Sequence, residues 1–201
     1  MRIGIYGGTF DPIHFGHLVL AETCREELQL DEVWFLPAFV SPHKRVSETL
    51  AAKERLAMVE LAIGGHPAFR VDARELARGG PSYTVETLQE LHRELPSDDL
   101  FFLMGADSLR DFPSWREPAR ILELATVVAV NRGRSLPEKA ALGQTMGEPA
   151  MSRLRIVTMP GIDTSSTDLR LRVRTGRSIR YLTPRGVEEY IRHHQLYRDP
   201  S

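Results

Sequence analysis

The chain has 201 residues, and its 26 Lys and Arg residues nearly balance its 27 Asp and Glu residues, which gives a formal net charge of −1. This balance argues against a broadly basic nucleic-acid-binding protein. A chain of this length corresponds to about one domain of ~150 residues with its own apolar core. We therefore expect a single domain over residues 1–201.

The single cysteine, Cys24, excludes an intramolecular disulfide framework and a cysteine-based zinc ribbon. The chain starts MRIGIYGGTF, a strand-and-glycine pattern without an apolar stretch of signal-peptide or membrane-spanning length. We therefore expect a cytoplasmic protein with neither a membrane nor a nucleic acid as partner. The composition leaves the oligomeric state open, a homo-oligomer included.

The chain begins with the pattern of a strand, a glycine-rich loop and a helix. An extended run with alternating isoleucines covers residues 2–6, and the pair Gly7-Gly8 follows it. After Gly16, apolar residues recur at intervals of three and four, which predicts a helix, and the Val/Trp/Phe-rich run over residues 32–35 predicts a second strand.

Strand and helix patterns continue to alternate in the remainder of the chain. We predict strands over 69–72, 100–104, 126–130 and 154–159, and helices over 53–63, 84–94, 117–124, 165–176 and 183–194. Ser165 and Thr183 have the character of N-caps, and Pro184 suits the first helical position. The segment 133–149 is punctuated by glycine and proline without a clean period, so we expect a mobile surface insertion there.

Strands separated by helices of about 10–15 residues predict right-handed βαβ crossovers and a mainly parallel sheet covered on both faces. The predicted class is therefore α/β, with a doubly wound, Rossmann-like sheet. In such sheets ligands bind beyond the carboxyl ends of the strands, where the strand order switches. The loops after Tyr6, Phe35, Met104 and Met159 are thus the expected places for a site.

The strongest chemical signal is the loop after the first strand. It reads Gly7-Gly8-Thr9-Phe10-Asp11-Pro12-Ile13-His14-Phe15-Gly16-His17. Glycines let backbone amides approach an anion, and the helix start directs its N–H groups and the positive end of its dipole at the same place, which favours phosphate. The loop matches neither the dinucleotide fingerprint G-x-G-x-x-G nor a Walker A loop.

Two histidines follow within this loop. His14 and His17 are three residues apart at a helix N-terminus, so both rings project to one side and can bind phosphate oxygens, while Gly16 between them removes bulk. Taken alone, the pair also fits two surface histidines. A zinc site fits less well, because no third ligand stands at a standard spacing.

A second candidate phosphate site is the segment Asp163-Thr164-Ser165-Ser166-Thr167-Asp168-Leu169-Arg170, just after the last predicted strand. Hydroxyls at a helix start can hold a phosphate through side chains and backbone N–H groups, and Arg170 adds a fixed positive fork one turn later. The alternative is a plain capping arrangement, which Ser165 and Asp168 would satisfy unaided.

The first loop as a whole resembles the signature of the HxGH nucleotidyltransferases, α/β enzymes that transfer a nucleotidyl group from a nucleoside triphosphate to a phosphate-bearing acceptor. The segment 163–170 resembles the S-S-T-x-x-R element of these enzymes. The resemblance implies the nucleotidyltransferase fold, with His14, His17 and Arg170 as catalytic residues. It implies that the ATP-binding residues are Gly7, Gly8, Thr9, Phe10, Gly105, Asp163, Ser165, Ser166 and Thr167.

Three further segments resemble those of bacterial nicotinate-mononucleotide adenylyltransferases. The first, Ser41-Pro42-His43-Lys44, is similar to the family's Pro-Pro-His-Lys and departs from it at Ser41. The others are Pro81-Ser82-Tyr83-Thr84-Val85-Glu86-Thr87-Leu88, and Gly105-Ala106-Asp107-Ser108-Leu109 followed by Trp115. Essentially the whole chain takes part in the resemblance, apart from the segment 133–149.

The resemblance implies how an acceptor would bind. The helix start at Tyr83 and Thr84 would turn amides toward the nicotinate carboxylate, Asp107 would lie near ribose hydroxyls, and Trp115 would stack on the pyridine ring. Lys44 and Arg132 are candidates for the acceptor's phosphate side. Taken singly, these residues also fit a plain helix start, a surface turn residue and a core aromatic.

The activity that the resemblance implies is transfer of AMP from ATP to nicotinate mononucleotide, which releases pyrophosphate. Mg²⁺ is the expected cofactor, bound mainly through ATP phosphates and water rather than by protein ligands. Two alternatives stay open: phosphopantetheine adenylyltransferase, which shares H-x-G-H but lacks the Tyr-Thr and downstream Trp pattern, and a non-catalytic nucleotide-binding sensor on the same fold.

Overall fold

The computed structural model describes residues 1–42, 49–131 and 152–198, and its centre is a six-stranded sheet in which every neighbouring pair is parallel. The strands are β1 (Arg2–Gly8), β2 (Glu32–Pro37), β3 (Phe69–Val71), β4 (Asp99–Gly105), β5 (Thr126–Asn131) and β6 (Leu154–Thr158). Their order in the sheet is β3-β2-β1-β4-β5-β6. The predicted α/β class with a doubly wound parallel sheet is therefore confirmed.

Strands and helices alternate along the chain, as the sequence predicts. The helices are α1 (Phe15–Glu27), α2 (Ala52–Ile63), α3 (Arg74–Arg78), α4 (Thr84–Glu94), α5 (Ala106–Leu109), α6 (Pro118–Leu124), α7 (Ser166–Arg174) and α8 (Arg185–His193). A single 3₁₀ turn, Phe112–Ser114, lies between α5 and α6. The sequence-based prediction lacks α3 and α5, because four or five residues do not complete an apolar period.

The sheet is buried on both faces. Successive residues of β5 such as Val127 and Val128 point to opposite sides, so the first packs with α4, α5 and α6 and the second with α1, α2, α7 and α8. Both valines are fully buried, as expected for a strand covered by helices on two sides. Cys24 of α1 is also fully buried, and burial raises the pKa of its thiol to about 12, so it serves as a packed hydrophobe.

One predicted helix cap is confirmed and one is wrong. Ser165 is the N-cap of α7, and its Oγ accepts a hydrogen bond from the Asp168 amide at 3.1 Å. At α8 the N-cap is Pro184, whereas the buried Thr183 donates its hydroxyl to the carbonyl of Ile13 at 2.7 Å. Thr183 satisfies a carbonyl of the first loop instead of capping its own helix, so a tertiary bond outweighs the local one.

Some predictions fall on residues without a description. The expected insertion over 133–149, together with Lys44 and Arg132, lies outside the described residues. In the three described ranges, no helix combines the length and the apolar character needed to cross a membrane.

Candidate active site

The reversal of strand order places a crevice between β1 and β4. From β1 the sheet continues to β2 and β3 on one side, and from β4 to β5 and β6 on the other. Because all strands run parallel, the loops after Gly8 and Gly105 leave the sheet at the same edge. This is the edge at which doubly wound sheets bind ligands.

Close packing shapes the loop after β1. Phe10 has a positive φ of 48° and buries its ring, which meets those of Tyr6 and Phe35 at centroid distances of 5.4 and 5.8 Å. A Cβ at Gly8 would lie 2.9 Å from the Phe10 ring, so the backbone can pass there only without a side chain. The Phe10 ring is thus part of the core, and only its backbone can face a ligand.

The two histidines of the loop are brought together. Their rings stack with centroids 3.8 Å apart, and the His14 amide donates to Nδ1 of His17 at 3.2 Å. Because Nδ1 accepts this bond, a neutral His17 carries its proton on Nε2, which makes Nε2–H the donor that the ring can offer to an anion. A Cβ at Gly16 would lie 3.0 Å from the His14 ring, which explains the glycine between them.

The second phosphate-site candidate docks directly on this loop. Ser166 Oγ donates to the Pro12 carbonyl at 2.9 Å, and Arg170 Nη1 donates to the Asp11 carbonyl at 2.8 Å. The two segments are more than 150 residues apart in the chain. The structure therefore unites the histidine pair, the start of α7 and Arg170 in one place.

The hydroxyls at the start of α7 already have protein partners. Ser165 caps the helix, Ser166 bonds the first loop, and Thr167 Oγ1 accepts from Arg170 Nη2 at 3.4 Å. The capping alternative is thus confirmed for Ser165. Asp163 and Thr167 are exposed, so both can reach solvent at the same end of the sheet.

A cavity of about 310 Å³ opens beside the first loop and is called the central cavity below. Its walls come from the end of β1, from the loop after β2, from α3, from the start of α4 and from the segment after the 3₁₀ turn. The lining residues include Gly7, Gly8, Thr9, Ser41, Pro42, Glu75, Ser82, Tyr83, Thr84, Thr87, Phe102, Trp115 and Arg116.

Two predicted acceptor residues form one wall of the central cavity. Tyr83 is the N-cap of α4 and Thr84 is its first residue, so the unpaired donors of a helix N-terminus lie at this wall. The guanidinium of Arg116 lies over the Tyr83 ring at 4.7 Å from its centroid and also pairs with Glu86, Nη1 to Oε1, at 2.7 Å. The wall thus combines N–H groups with one exposed cation.

Trp115 enters the lining from another segment, at the end of the 3₁₀ turn. Its half-buried ring meets the Phe102 ring edge-on at 5.9 Å and the Phe112 ring at 5.5 Å. Core aromatics therefore hold the indole, while the residue still lines the cavity. Asp107, by contrast, is exposed in the first turn of α5 and is not part of this lining.

The sequence-based prediction missed a buried guanidinium behind the site. Arg55 of α2 donates to the carbonyls of Thr9, Ala38, Phe39 and Leu50 at 2.9, 2.7, 3.1 and 3.1 Å. Burial lowers the pKa of this guanidinium, an effect that Asp11 opposes. A signal was present, because Arg55 stands one helical turn before the buried Val59, on the apolar face of α2.

No protein metal centre is found in the part of the chain that the structure describes, since no three His, Cys, Asp or Glu side chains there are grouped to hold an ion.

Comparison with known proteins identifies the family. Residues 5–172 match the cytidylyltransferase-like family. Relatives named "Probable nicotinate-nucleotide adenylyltransferase" include one from Thermomicrobium roseum, with 47% identity over 98% of this chain and 92% of the relative, and one from Thermus thermophilus, with 46% identity over 98% and 100%.

A solved structure of the same fold is Plasmodium falciparum nicotinic acid mononucleotide adenylyltransferase complexed with NaAD. It has a TM-score of 0.80 at 19% identity and covers 98% of this chain and 97% of its own. At that identity the likeness establishes the fold alone. The full-length matches at 46 and 47% identity carry the family assignment: this chain is a member of the cytidylyltransferase-like family and belongs, within it, with the nicotinate-nucleotide adenylyltransferases.

Proposed function

We propose that the protein transfers AMP from ATP to nicotinate mononucleotide and forms nicotinate adenine dinucleotide and pyrophosphate. The carrying observation is the central cavity, whose lining joins the start of α4 and the Trp115 ring to the glycine loop that leads to the stacked histidines. An anionic substituent suits the N–H groups, and a flat heterocycle suits Trp115. The names of the relatives support the same activity.

The chemical step needs no protein nucleophile. A phosphate oxygen of the mononucleotide attacks the α-phosphorus of ATP, a new P–O bond forms, and the bond from the α-phosphorus to the bridging oxygen of pyrophosphate breaks. Catalysis is then placement of the two substrates and neutralisation of charge on the equatorial and leaving oxygens.

We assign the donors around the first loop to ATP. His14 and His17 bind the phosphates at which the transfer takes place. Arg170, Ser165 and Ser166 bind the β- and γ-phosphates. The backbone from Gly7 to Phe10 approaches the phosphate bridge of the nucleotide. Gly105, Asp163 and Thr167 complete the proposed ATP site. The docking of α7 on the first loop supports this assignment, because it puts a positive fork and two helix starts at one edge of the sheet.

We assign the other wall to the acceptor. The amides at Tyr83 and Thr84 receive the carboxylate, Trp115 stacks on the pyridine ring, and Asp107 serves the ribose. Lys44 and Arg132 serve the phosphate side. Mg²⁺ would enter with the triphosphate and supply positive charge to its oxygens. The proposal also implies a cytoplasmic enzyme, since ATP is available there.

Pyrophosphate release with ATP and Mg²⁺ tests this function, with nicotinate mononucleotide, phosphopantetheine and buffer as three parallel acceptor arms. We expect turnover only with nicotinate mononucleotide. Turnover with phosphopantetheine alone would identify the activity as that of a phosphopantetheine adenylyltransferase instead. ATP binding without turnover in any arm would favour a nucleotide sensor.

A further inference from the structure

A buried carboxylate lies in the wall of the central cavity and has no part in the mechanism above. Among the described residues that line the cavity, Glu75 and Arg116 carry the charged side chains. Arg116 is exposed, whereas Glu75, in α3, is only 6% exposed. A buried acid next to a cavity for an anionic acceptor is costly and calls for a physical reason.

The contacts of Glu75 form a directed chain of hydrogen bonds. Thr87 Oγ1 donates to Glu75 Oε1 at 2.7 Å, and the nearby Ser82 hydroxyl lowers the pKa of the same carboxyl. The oxygen of each hydroxyl is itself an acceptor: Thr87 Oγ1 receives Arg78 Nη2 at 3.0 Å, and Ser82 Oγ receives the Phe39 amide at 3.0 Å. The hydroxyl hydrogen of Thr87 therefore goes to Glu75, while that of Ser82 is left for a group beside it.

The two hydroxyls flank the helix start that faces the acceptor. Ser82 directly precedes the N-cap Tyr83, and Thr87 follows Thr84 by less than one turn. The Ser82 amide also donates to the Val40 carbonyl at 2.9 Å, which ties this segment to the loop after β2. Glu75 and these two residues thus connect three parts of the cavity wall: α3, the first turn of α4 and the loop after β2.

We propose that Glu75 is a positioning residue for the acceptor: its carboxylate accepts from Thr87 and so fixes the first turn of α4, whose amides bind the nicotinate carboxylate. The inference rests on the proposed function and adds to it the residue that sets the geometry of the acceptor wall. Glu75 does not touch the reacting phosphates.

The carboxylate form is the one that the network requires. The Thr87 hydroxyl donates, so the group that faces it must accept, and a carboxylate accepts through either oxygen while the other still faces Ser82 as an acceptor. In Glu75→Gln, which has nearly the same shape, one oxygen is replaced by an NH₂ group that only donates. The variant therefore loses an acceptor on one of the two sides inside the wall.

Burial sets the direction of the Glu75 pKa. It raises the pKa of this carboxyl above its ordinary value, and Asp72 adds to the rise, while Thr87, Ser82 and the Arg78 charge oppose it. Arg78 is in turn paired with Glu90 of α4, Nη1 to Oε1, at 2.7 Å. The Thr87 bond therefore offsets part of the cost of a charged carboxylate in the wall.

The test compares Glu75→Gln with Glu94→Gln in the full chain. Glu94 pairs with Arg74, Oε2 to Nη2, at 2.9 Å, so it also links α4 to α3, but it is exposed and outside the lining of the cavity. We expect the KM for nicotinate mononucleotide to rise about tenfold in Glu75→Gln, with the KM for ATP within about twofold, because a buried bond is lost on the acceptor side alone. Glu94→Gln should leave both constants unchanged.

A third variant, Thr87→Val, removes one donor and keeps the acid. It should raise the KM for nicotinate mononucleotide. In the double variant with Glu75→Gln, the rise in this KM should be smaller than the two single effects combined, since both substitutions remove the same interaction. Thr87→Val also tests the inference if Glu75→Gln does not fold, as judged by circular dichroism and thermal unfolding.

The outcomes separate this inference from the proposed function. Wild-type protein without turnover on nicotinate mononucleotide would overturn both. Active wild-type protein with an unchanged acceptor KM in folded Glu75→Gln and in Thr87→Val would overturn the role of Glu75 and leave the function standing. Equal changes in the ATP and acceptor KM values would likewise contradict a role confined to the acceptor wall.

Discussion

At the scale of single residues, the hydrogen bond from the His14 amide decides what His17 can do. With Nδ1 occupied at 3.2 Å, the neutral His17 ring is a donor through Nε2. The start of α1 and the glycine loop lie beside it, so a negative charge that grows on a phosphate oxygen would meet several N–H groups at once.

We expect His17→Ala to lower kcat by ~10²–10³, the usual loss for one preorganised donor at a developing charge, and to change the KM for ATP less. Initial rates at saturating substrates measure this effect. His92→Ala is the control, because His92 is an exposed histidine in the last turn of α4. Turnover of folded His17→Ala within about threefold of the parent would rule out the role.

A second residue-scale prediction concerns Trp115. Loss of its stacking contact, worth ~0.5–1.5 kcal/mol beyond the burial of area, should raise the KM for nicotinate mononucleotide by about tenfold in Trp115→Ala and leave the KM for ATP nearly unchanged. Trp34→Phe serves as control, since Trp34 lies on β2 and bonds Glu32 through its indole N–H. Equal effects of Trp115→Ala on both substrates would count against the stacking role.

At the scale of elements, the site depends on contacts between segments that are distant in the chain. Helix α7 holds the first loop through Ser166 and Arg170, and Thr183 holds the same loop from the segment before α8. Arg55 of α2 joins the first loop to the segments after β2 and before α2. These side chains occupy backbone carbonyls that would otherwise be buried without a donor.

We expect Arg55→Met to lower the free energy of unfolding by ~3–5 kcal/mol, because it leaves several buried carbonyls without donors. The free energy of unfolding of Arg55→Lys should lie between those of Arg55→Met and the parent, since an ammonium cannot reach all four carbonyls. Urea unfolding gives the values, with the exposed Arg93→Met of α4 as control. A loss below about 1 kcal/mol in Arg55→Met would contradict this account of α2.

The same elements explain what sequence could and could not predict. The strand and helix positions followed from periodicity, and the histidine pair and Ser165 from local motifs. Arg55 and the Thr183 bond were missed because each acts through a partner that is close in space and distant in sequence. Glu75 was missed because its partner Thr87 lies on another helix. In a sequence, a buried Arg or Glu also cannot be told from one on a solvent-exposed helix face.

At the scale of the whole molecule, the sheet order makes one site from two ends of the chain. The reversal between β1 and β4 opens the central cavity, and α7 brings the second phosphate-site segment to its edge. Periodicity predicted the parallel sheet but not this order, because a buried strand has the same pattern at every position in a sheet. The placement of Glu75 and Trp115 in one lining follows only from the assembled fold.

The start of α4 is expected to select a nicotinate carboxylate over a carboxamide. A carboxylate can accept from both unpaired amides, whereas a carboxamide presents NH₂ to donors, and each unsatisfied N–H costs ~1–3 kcal/mol. We therefore predict that kcat/KM for nicotinate mononucleotide exceeds that for nicotinamide mononucleotide by at least ~10². Initial rates with the two acceptors side by side, at saturating ATP and Mg²⁺, measure the ratio directly, and a ratio below about ten would contradict the acceptor site described here.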